Sequence, residues 1–269
     1  MSGWLSAWAV LNSLVIMLTL GLAHRRQAER YPPALLLRAT LGYNLVLPAL
    51  GLWLLASCTR WFDSHSLLAM SVLVAAGGGT SAGAFVKKIG AASGLTATLI
   101  ILLQGLSLVL LGALAVAPVL DIGLLPALCG YLLLLTVAPF VVGLALARRW
   151  PQTTRQWLPW LERLGGALVF LLVLALLARY AAAVIGGPTE PLWAAATLLC
   201  LLVLPALLLE RKPELQRSMV LVSLVRNLTL VLAVVAMLPT AAQLLPTVLA
   251  FGLFMYLACG LLLLFWRAE

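Results

Sequence analysis

Polar and glycine residues interrupt two otherwise apolar stretches of this chain, one in each half. The first interruption reads Gly77-Gly78-Gly79-Thr80-Ser81-Ala82-Gly83, and the second reads Val225-Arg226-Asn227-Leu228-Thr229. Hydroxyl, amide and guanidinium groups at such breaks can bind a polar solute or an ion. Because freed backbone is tolerated in lipid only where it is buried in protein or lines a wet cavity, the two breaks predict a binding site. Interrupted helices at corresponding positions of two halves are typical of secondary transporters.

Arg226 is the most costly of these residues to place in a membrane. An arginine at the centre of a spanning helix costs about 2.5–3.5 kcal/mol on insertion scales, and no acidic residue falls within an apolar stretch. Two interpretations are open. Arg226 either bonds to carbonyl groups of the other broken helix and fills the place of a cation, or it binds an anionic solute in a transport cavity.

The glycine run predicts a helix start at the membrane centre. Thr80 and Ser81 follow the glycines where an N-cap belongs, so we expect a half-helix that directs free N–H groups and a positive dipole end inward. Such an end attracts an anionic group. A tight packing motif without ligand is the alternative, since glycine is common at membrane helix contacts.

Neighbouring spans are expected to add polar lining. Thr96 is the main candidate and Asn44, just before Pro48, is a secondary one, with Thr98, Gln104 and Ser107 as further polar residues. The predicted substrate-binding residues are Gly78, Gly79, Thr80, Ser81, Thr96, Arg226, Asn227, Thr229 and Asn44.

The elements that position these residues are those of an integral membrane protein. The chain has 269 residues, 64% of them hydrophobic and 9% charged, and a mean hydropathy of +1.13. Soluble domains carry roughly a quarter charged residues. About 20 apolar residues span a bilayer, and we predict an all-α polytopic protein with nine such spans. They cover 4–23, 34–57, 65–86, 92–116, 122–147, 164–184, 191–209, 218–237 and 244–266.

The net charge of +9 is distributed as a membrane topology predicts. Most of the 17 lysines and arginines fall on one side of the nine spans, whereas the opposite loops hold Arg60 with Asp63, Asp121 and Glu190. This positive-inside bias places the N-terminus outside and the C-terminus in the cytoplasm. We therefore expect a multi-pass plasma membrane protein, a bacterial inner-membrane protein in particular. The lipid bilayer, and not nucleic acid, is the expected partner of its basic residues.

Catalytic and metal-binding patterns are not found in the sequence. All eight acidic residues lie in loops or at span ends, and the four cysteines are scattered without metal-ligand spacing. General acid–base catalysis needs a titratable group near the reacting bond. We therefore expect a protein that is not an enzyme and that holds no metal or cofactor.

Three segments resemble the bile acid:sodium symporter family. Residues 77–97 are similar to the family's glycine-threonine segment and the helix that follows it. The second break, Ser223-Leu224-Val225-Arg226-Asn227-Leu228-Thr229-Leu230, is similar to the family's second broken helix. Residues 36–55, with Asn44 and Pro48, resemble the family's helix ahead of the first break. The resemblance implies two inverted repeats with two crossed discontinuous helices, here 1–120 without the family's first helix and 121–269. It also implies a core domain that moves against a panel domain formed by spans one, five and six.

The sodium ligands of the family are replaced here. Where sodium-dependent members of the family have a serine-asparagine pair, this chain has Ala82 and Gly83. Where they have a glutamate and a glutamine in the second broken helix, this chain has Val222 and Arg226. Of two further ligand positions, Thr96 keeps an oxygen and the other is Ile100. Some bacterial relatives also carry an arginine in this break, and the chain resembles that branch. Sodium coupling is therefore not expected.

The predicted function is a secondary transporter or permease of a small organic anion that works by alternating access. Two alternatives stay open: a facilitated permease for a neutral or weakly acidic solute, and a membrane sensor or scaffold that keeps this fold without transport. A polar cavity would favour transport, and a cavity filled by bulky apolar side chains would favour the scaffold.

Overall fold

The computed structural model of the chain describes residues 3–24, 31–58, 61–86, 88–116, 130, 133–236 and 238–266. Within these ranges the protein is helical and contains no β-strand. The ten helices are α1 (Gly3–His24), α2 (Pro33–Cys58), α3 (Ser64–Ala75), α4 (Ser93–Val116), α5 (Ala138–Arg149), α6 (Pro151–Ile185), α7 (Glu190–Leu209), α8 (Pro213–Leu224), α9 (Leu228–Ala236) and α10 (Ala241–Phe265). A 3-10 helix, Thr80–Ala84, lies between α3 and α4, and a π-helical turn, Leu133–Val137, precedes α5.

Among the residues that the structure describes, five helical segments are long and apolar enough to cross a membrane. They are Pro33–Cys58, Ser93–Leu111, Glu190–Leu209, Pro213–Leu232 and Ala241–Phe265. Val10–Ala23 and Ser64–Ala75 are shorter apolar helices. The expectation of an all-helical, multi-pass membrane protein is confirmed at this level, whereas nine spans remain a prediction. The first part of predicted span 122–147, and the boundary between 1–120 and 121–269, lie outside the described residues.

The distribution of polarity suits a bilayer. Large apolar side chains such as Trp53, Val109, Leu208 and Phe265 are exposed on the helix surfaces, while polar ones such as Gln104 are buried. In a lipid solvent exposed apolar groups have no hydrophobic penalty, and buried polar groups must find partners inside the protein. The interior of the bundle is therefore where polar interactions are concentrated.

The helices pack in two groups. The first group contains α1, α5 and α6, with α1 lying against both of the others. Gly21 and Gly143 allow α1 and α5 to approach closely, because a Cβ on either residue would collide with a carbonyl oxygen of the other helix, Phe140 O or Leu18 O. In the second group, α7 packs on α8 and α10, and α10 also contacts α3 and α9. The 3-10 helix touches α1, α4 and α6, so it lies where the groups meet.

Local sequence explains where these helices begin and bend. Asp63 caps α3, since its side chain accepts a hydrogen bond from the N–H of Ser66. Helix α2 is π-helical over Arg38–Val46, and within it the Asn44 side chain donates to the carbonyl of Ala39 at 2.7 Å. Helix α6 begins at Pro151, before the predicted membrane span 164–184. Its first turns expose Trp157 and Trp160, side chains that suit the membrane interface rather than the membrane core.

Candidate functional site

The two predicted breaks lie side by side. Ala76–Gly79 after α3 and Val225–Asn227 after α8 are both non-helical. The N–H of Gly79 donates to the carbonyl of Val225 at 2.9 Å, and the N–H of Asn227 donates to the carbonyl of Ala76 at 3.0 Å. The segments therefore run antiparallel and satisfy part of each other's freed backbone.

Glycine is required at the centre of the first break. Gly78 has a φ of 71°, a conformation that side chains disfavour, and a Cβ there would lie 2.7 Å from the carbonyl oxygen of Ile100. A Cβ on Gly79 would lie 2.5 Å from the carbonyl oxygen of Arg226. The glycine run thus lets the second break and α4 approach the first break closely.

Side chains of helix α4 lie against the carbonyls of the glycine run. The Gln104 amide donates to Gly78 O at 2.9 Å, whereas the Ser107 hydroxyl donates to Leu103 O of its own helix at 2.7 Å and lies 3.3 Å from Gly77 O. These two side chains were predicted as weak candidates for solute contact, and the structure gives them backbone partners instead. They hold the break in shape.

Arg226 lies where the segments Ala76–Gly79 and Val225–Asn227 meet, which we call the crossing, and the residue is only 1% exposed. Its Nη2 is 3.4 Å from Asn44 O and 3.3 Å from Asn44 Oδ1, and its Nη1 is 3.5 Å from Val74 O. Its Nε has no hydrogen-bond partner among the described residues. The guanidinium thus lies near three neutral oxygens, of which Val74 O is on the other broken helix, as the first interpretation expected, and two belong to Asn44 of α2.

The sequence explains why these oxygens are free. Pro48 has no N–H to donate to the carbonyl of Asn44, four residues before it. Val74 is in the last turn of α3, whose final carbonyls have no partner within the helix. Arg226 takes up acceptors that a proline and a helix end leave open.

Helix ends provide the negative potential around the guanidinium. Arg226 follows the C-terminus of α8 by two residues and reaches the C-terminus of α3, and both ends carry partial negative charge. Of the described carboxylates, none forms an ion pair with Arg226. Two helix C-termini of about −0.5 charge each can together offset much of the guanidinium charge.

Asn227 starts the second half-helix. Its Oδ1 accepts a hydrogen bond from the N–H of Leu230 at 3.1 Å, which is an N-cap contact for α9. Arg226 and the N-terminus of α9 therefore contribute positive potential at the same place.

The expectation for Thr80 and Ser81 was wrong in one respect. A 3-10 helix of 5 residues follows the first break instead of a long half-helix, and its N-cap residue, Gly79, makes no side-chain cap bond. The hydroxyls of Thr80 and Ser13 of α1 are hydrogen-bonded at 3.2 Å, and Ser81 has a side-chain hydrogen bond with Tyr256 of α10. Both hydroxyls therefore interact with other helices. The 3-10 helix Thr80–Ala84 is too short to carry an appreciable dipole.

Asn44, Gly78, Gly79, Arg226 and Asn227 are brought together at the crossing. Thr96 is buried on α4, where its hydroxyl donates to Ala92 O of its own helix at 3.0 Å. Thr229 is partly buried on the first turn of α9.

A cavity of about 690 Å³ lies between α1, the 3-10 segment, the start of α4 and α6. Its polar or charged lining residues are Thr19, Lys88, Ser93, Glu162 and Arg163, and its apolar walls include Ile16, Leu20 and Phe170. Gly83 brings the 3-10 segment to the cavity wall, whereas Arg226 does not line it. A volume of this size accommodates a small organic molecule.

The contribution of α1 was missed from the sequence. Asn12, Ser13 and Thr19 are buried polar residues of a span that was predicted only as membrane-crossing. Three polar residues within one apolar span were the available signal.

No protein-family model matches the chain, and no sequence among the curated proteins matches it.

Proposed function

We propose that this protein is a secondary transporter or permease of small organic anions that works by alternating access. The proposal depends on one observation above all: two helix breaks meet at a buried arginine that pairs with none of the described carboxylates, and a cavity large enough for a small molecule lies between α1, the 3-10 segment and α6. Crossed broken helices place ligand-binding groups at the membrane centre. The resemblance to the bile acid:sodium symporter family, with nine spans and two inverted repeats, is part of the proposal.

The packing of the helices supports a two-part mechanism. The proposed panel is α1, α5 and α6, and the proposed core contains both breaks with the remaining helices. The cavity is bounded by α1 and α6 on one side and by the 3-10 segment on the other. In this mechanism the panel and core rock against each other, and a solute in the cavity is exposed first to one side of the membrane and then to the other.

The charges at the cavity favour an anionic solute. The exposed cations Lys88 and Arg163 outnumber Glu162 among the charged lining residues, and in the proposed orientation the cavity opens toward the cytoplasm. Arg226 and the N-terminus of α9 add positive potential from behind the wall, without contact in this state. A carboxylate that enters from the cytoplasm is attracted along this path.

Sodium coupling is not part of the proposal. The oxygens of Asn44 and Val74 that a free cation could use already surround the Arg226 guanidinium. A second cation placed beside this fixed charge would be repelled.

One observation favours the alternative of a neutral or weakly acidic solute. Because Arg226 is buried and bonded to backbone, its charge is not presented directly to a solute in this state. The polar lining of the cavity supports either kind of transport over a scaffold, because a scaffold needs no such cavity.

Ligand-dependent melting of the purified protein tests the proposal. Monocarboxylates, dicarboxylates and tricarboxylates of graded size are compared with uncharged sugars and amides, since a ligand of the folded state raises the melting temperature. We expect a carboxylate to stabilise the wild type and to lose this effect in the Lys88→Gln, Arg163→Gln double variant. Arg217→Gln removes a charge outside the cavity lining and serves as the control. Stabilisation by the neutral compounds alone would support the alternative instead.

A further inference from the structure

Asn12 is a buried polar residue of α1 whose oxygen is not used by the protein. The residue is 4% exposed, and its Oδ1 has no hydrogen-bond partner among the described residues. An acceptor buried without a partner destabilises the fold, and in a membrane protein lipid offers no donor. Such a group calls for a reason outside the protein's own packing.

The other polar side chains on this part of α1 have partners. Ser13 bonds to Thr80 of the first break at 3.2 Å, and the Thr19 hydroxyl donates to Val15 O at 2.6 Å. Trp8 donates its ring N–H to Leu168 O of α6 at 3.3 Å. Asn12 is therefore the exception on this helix.

The position of Asn12 connects it to the cavity. Residues 12, 16, 19, 20 and 23 share one face of a helix, since they are spaced by three or four residues or by whole turns. Ile16, Thr19, Leu20 and Ala23 of this set line the cavity. Asn12 lies one turn beyond Ile16 on the same face, toward the level of the Ser13–Thr80 contact. Asn12 does not itself line the cavity in this state, so its link to the cavity is the helix face that it shares with these residues.

We propose that Asn12 is a specificity-determining residue whose Oδ1 accepts a hydrogen bond from a hydroxyl or amino group of the transported anion. This inference rests on the proposed function and narrows it to organic anions that carry such a donor, for example hydroxy acids. A site built to accept a hydrogen bond rejects an analogue that lacks the donor, because the buried acceptor is then left unpaired. Arg226 and the N-terminus of α9 supply only positive potential, so they do not provide this selectivity.

Matched solute pairs test the inference with carboxylates that differ by one hydroxyl. Lactate is compared with propionate, and malate with succinate, by their concentration-dependent effect on the melting temperature of the wild type. We expect the hydroxylated member to bind about 3- to 10-fold more tightly, the range of one neutral hydrogen bond. In the Asn12→Leu variant this preference should disappear while both carboxylates of each pair still bind. Asn12→Ala replaces it if the Asn12→Leu protein does not fold. Gln243→Leu, an amide-to-leucine change at an exposed position of α10, is the control and should keep the preference.

A second measurement needs no solute. Because the Asn12 oxygen has no partner to lose, Asn12→Leu should melt at or above the wild-type temperature in the absence of carboxylates. A clearly lower melting temperature for both Asn12→Leu and Asn12→Ala would show that the amide has a structural role, and would overturn the inference. Equal binding of both members of each pair to the wild type would also overturn it but leave the proposed function standing. If neither member of a pair nor any other carboxylate bound, both the inference about Asn12 and the proposed function would be wrong.

Discussion

The Arg226 side chain is held by Asn44, whose carbonyl oxygen and side-chain oxygen lie 3.4 Å and 3.3 Å from the same guanidinium nitrogen. Asn44 lies in the π-helical part of α2, and Arg226 lies in the break between α8 and α9. The contact therefore ties the second break to a helix from the first half of the chain. It also explains how a buried arginine is accommodated without an ion pair to any carboxylate that the structure describes.

Replacement of Arg226 should show whether its role is mainly structural. Arg226→Ala leaves the Asn44 and Val74 oxygens without their donor, at about 1–3 kcal/mol for each buried group that stays unpaired. We expect a large fall in melting temperature, and a smaller one for Arg226→Lys, which keeps the charge but loses the planar fork.

The same variants separate the two interpretations of Arg226. Loss of carboxylate binding at an unchanged melting temperature would assign it to direct solute contact instead. If neither stability nor binding changed in Arg226→Ala, the assignment of this residue to the site would be wrong. Arg163→Ala, at an exposed position, is the stability control.

Gly79→Ala should disrupt the crossing. The added Cβ would lie 2.5 Å from Arg226 O and 2.7 Å from Arg226 C, and both are backbone atoms that cannot rotate away. Overpacking of this kind costs about 1–3 kcal/mol or more. Gly105→Ala is the matched control, because its Cβ would meet nothing within 4 Å and alanine favours the helix by about 0.5–1 kcal/mol. Thermal melting of both variants is the measurement, and equal stability would contradict the observed approach of the two breaks.

Asn227 should be replaceable by other capping residues. Asn227→Ala removes the acceptor of the Leu230 N–H and should cost about 0.5–2 kcal/mol of stability. Asn227→Ser and Asn227→Asp can still cap α9 and should recover most of the loss. Chemical denaturation in detergent compares the three variants. If serine were as destabilising as alanine, the side chain would have a role other than capping.

Solute binding and uptake should not require sodium. The oxygens of Asn44 and Val74 already surround a fixed guanidinium, and its charge opposes a second cation. We expect the same carboxylate affinity in sodium and in choline buffers at equal ionic strength, and no accumulation driven by a sodium gradient. A saturable sodium requirement would contradict the proposed absence of coupling.

Short-range patterns predicted the breaks but not the contacts between them. The glycine run and Arg226 identified both segments, because these residue types are unfavourable inside a membrane helix unless the chain is interrupted. The partners of Arg226 depend on tertiary structure: Pro48 frees the carbonyl of Asn44, and only the crossing brings that carbonyl near residue 226.

The incorrect expectations have the same origin. Thr80 has the residue type of an N-cap, but a hydroxyl from α1, distant in sequence, bonds to it and only a short 3-10 helix follows. Thr96 stays a predicted site residue, and its hydroxyl donates within α4. A lone hydroxyl in a membrane helix can always bond to its own backbone, so sequence does not decide between these partners. The location of the cavity was not predicted either, because it depends on how α1 and α6 pack beside the 3-10 segment.

Counterflow in sodium-free proteoliposomes tests the central claim most directly. Vesicles with purified protein are loaded with a carboxylate that raises its melting temperature, and entry of the labelled compound is followed after dilution. Carrier-mediated alternating access predicts transient, saturable accumulation of label that the Lys88→Gln, Arg163→Gln double variant loses and the Arg217→Gln variant keeps. Label entry no faster than in protein-free vesicles, for every carboxylate that binds, would contradict the assignment of this protein as an organic anion transporter.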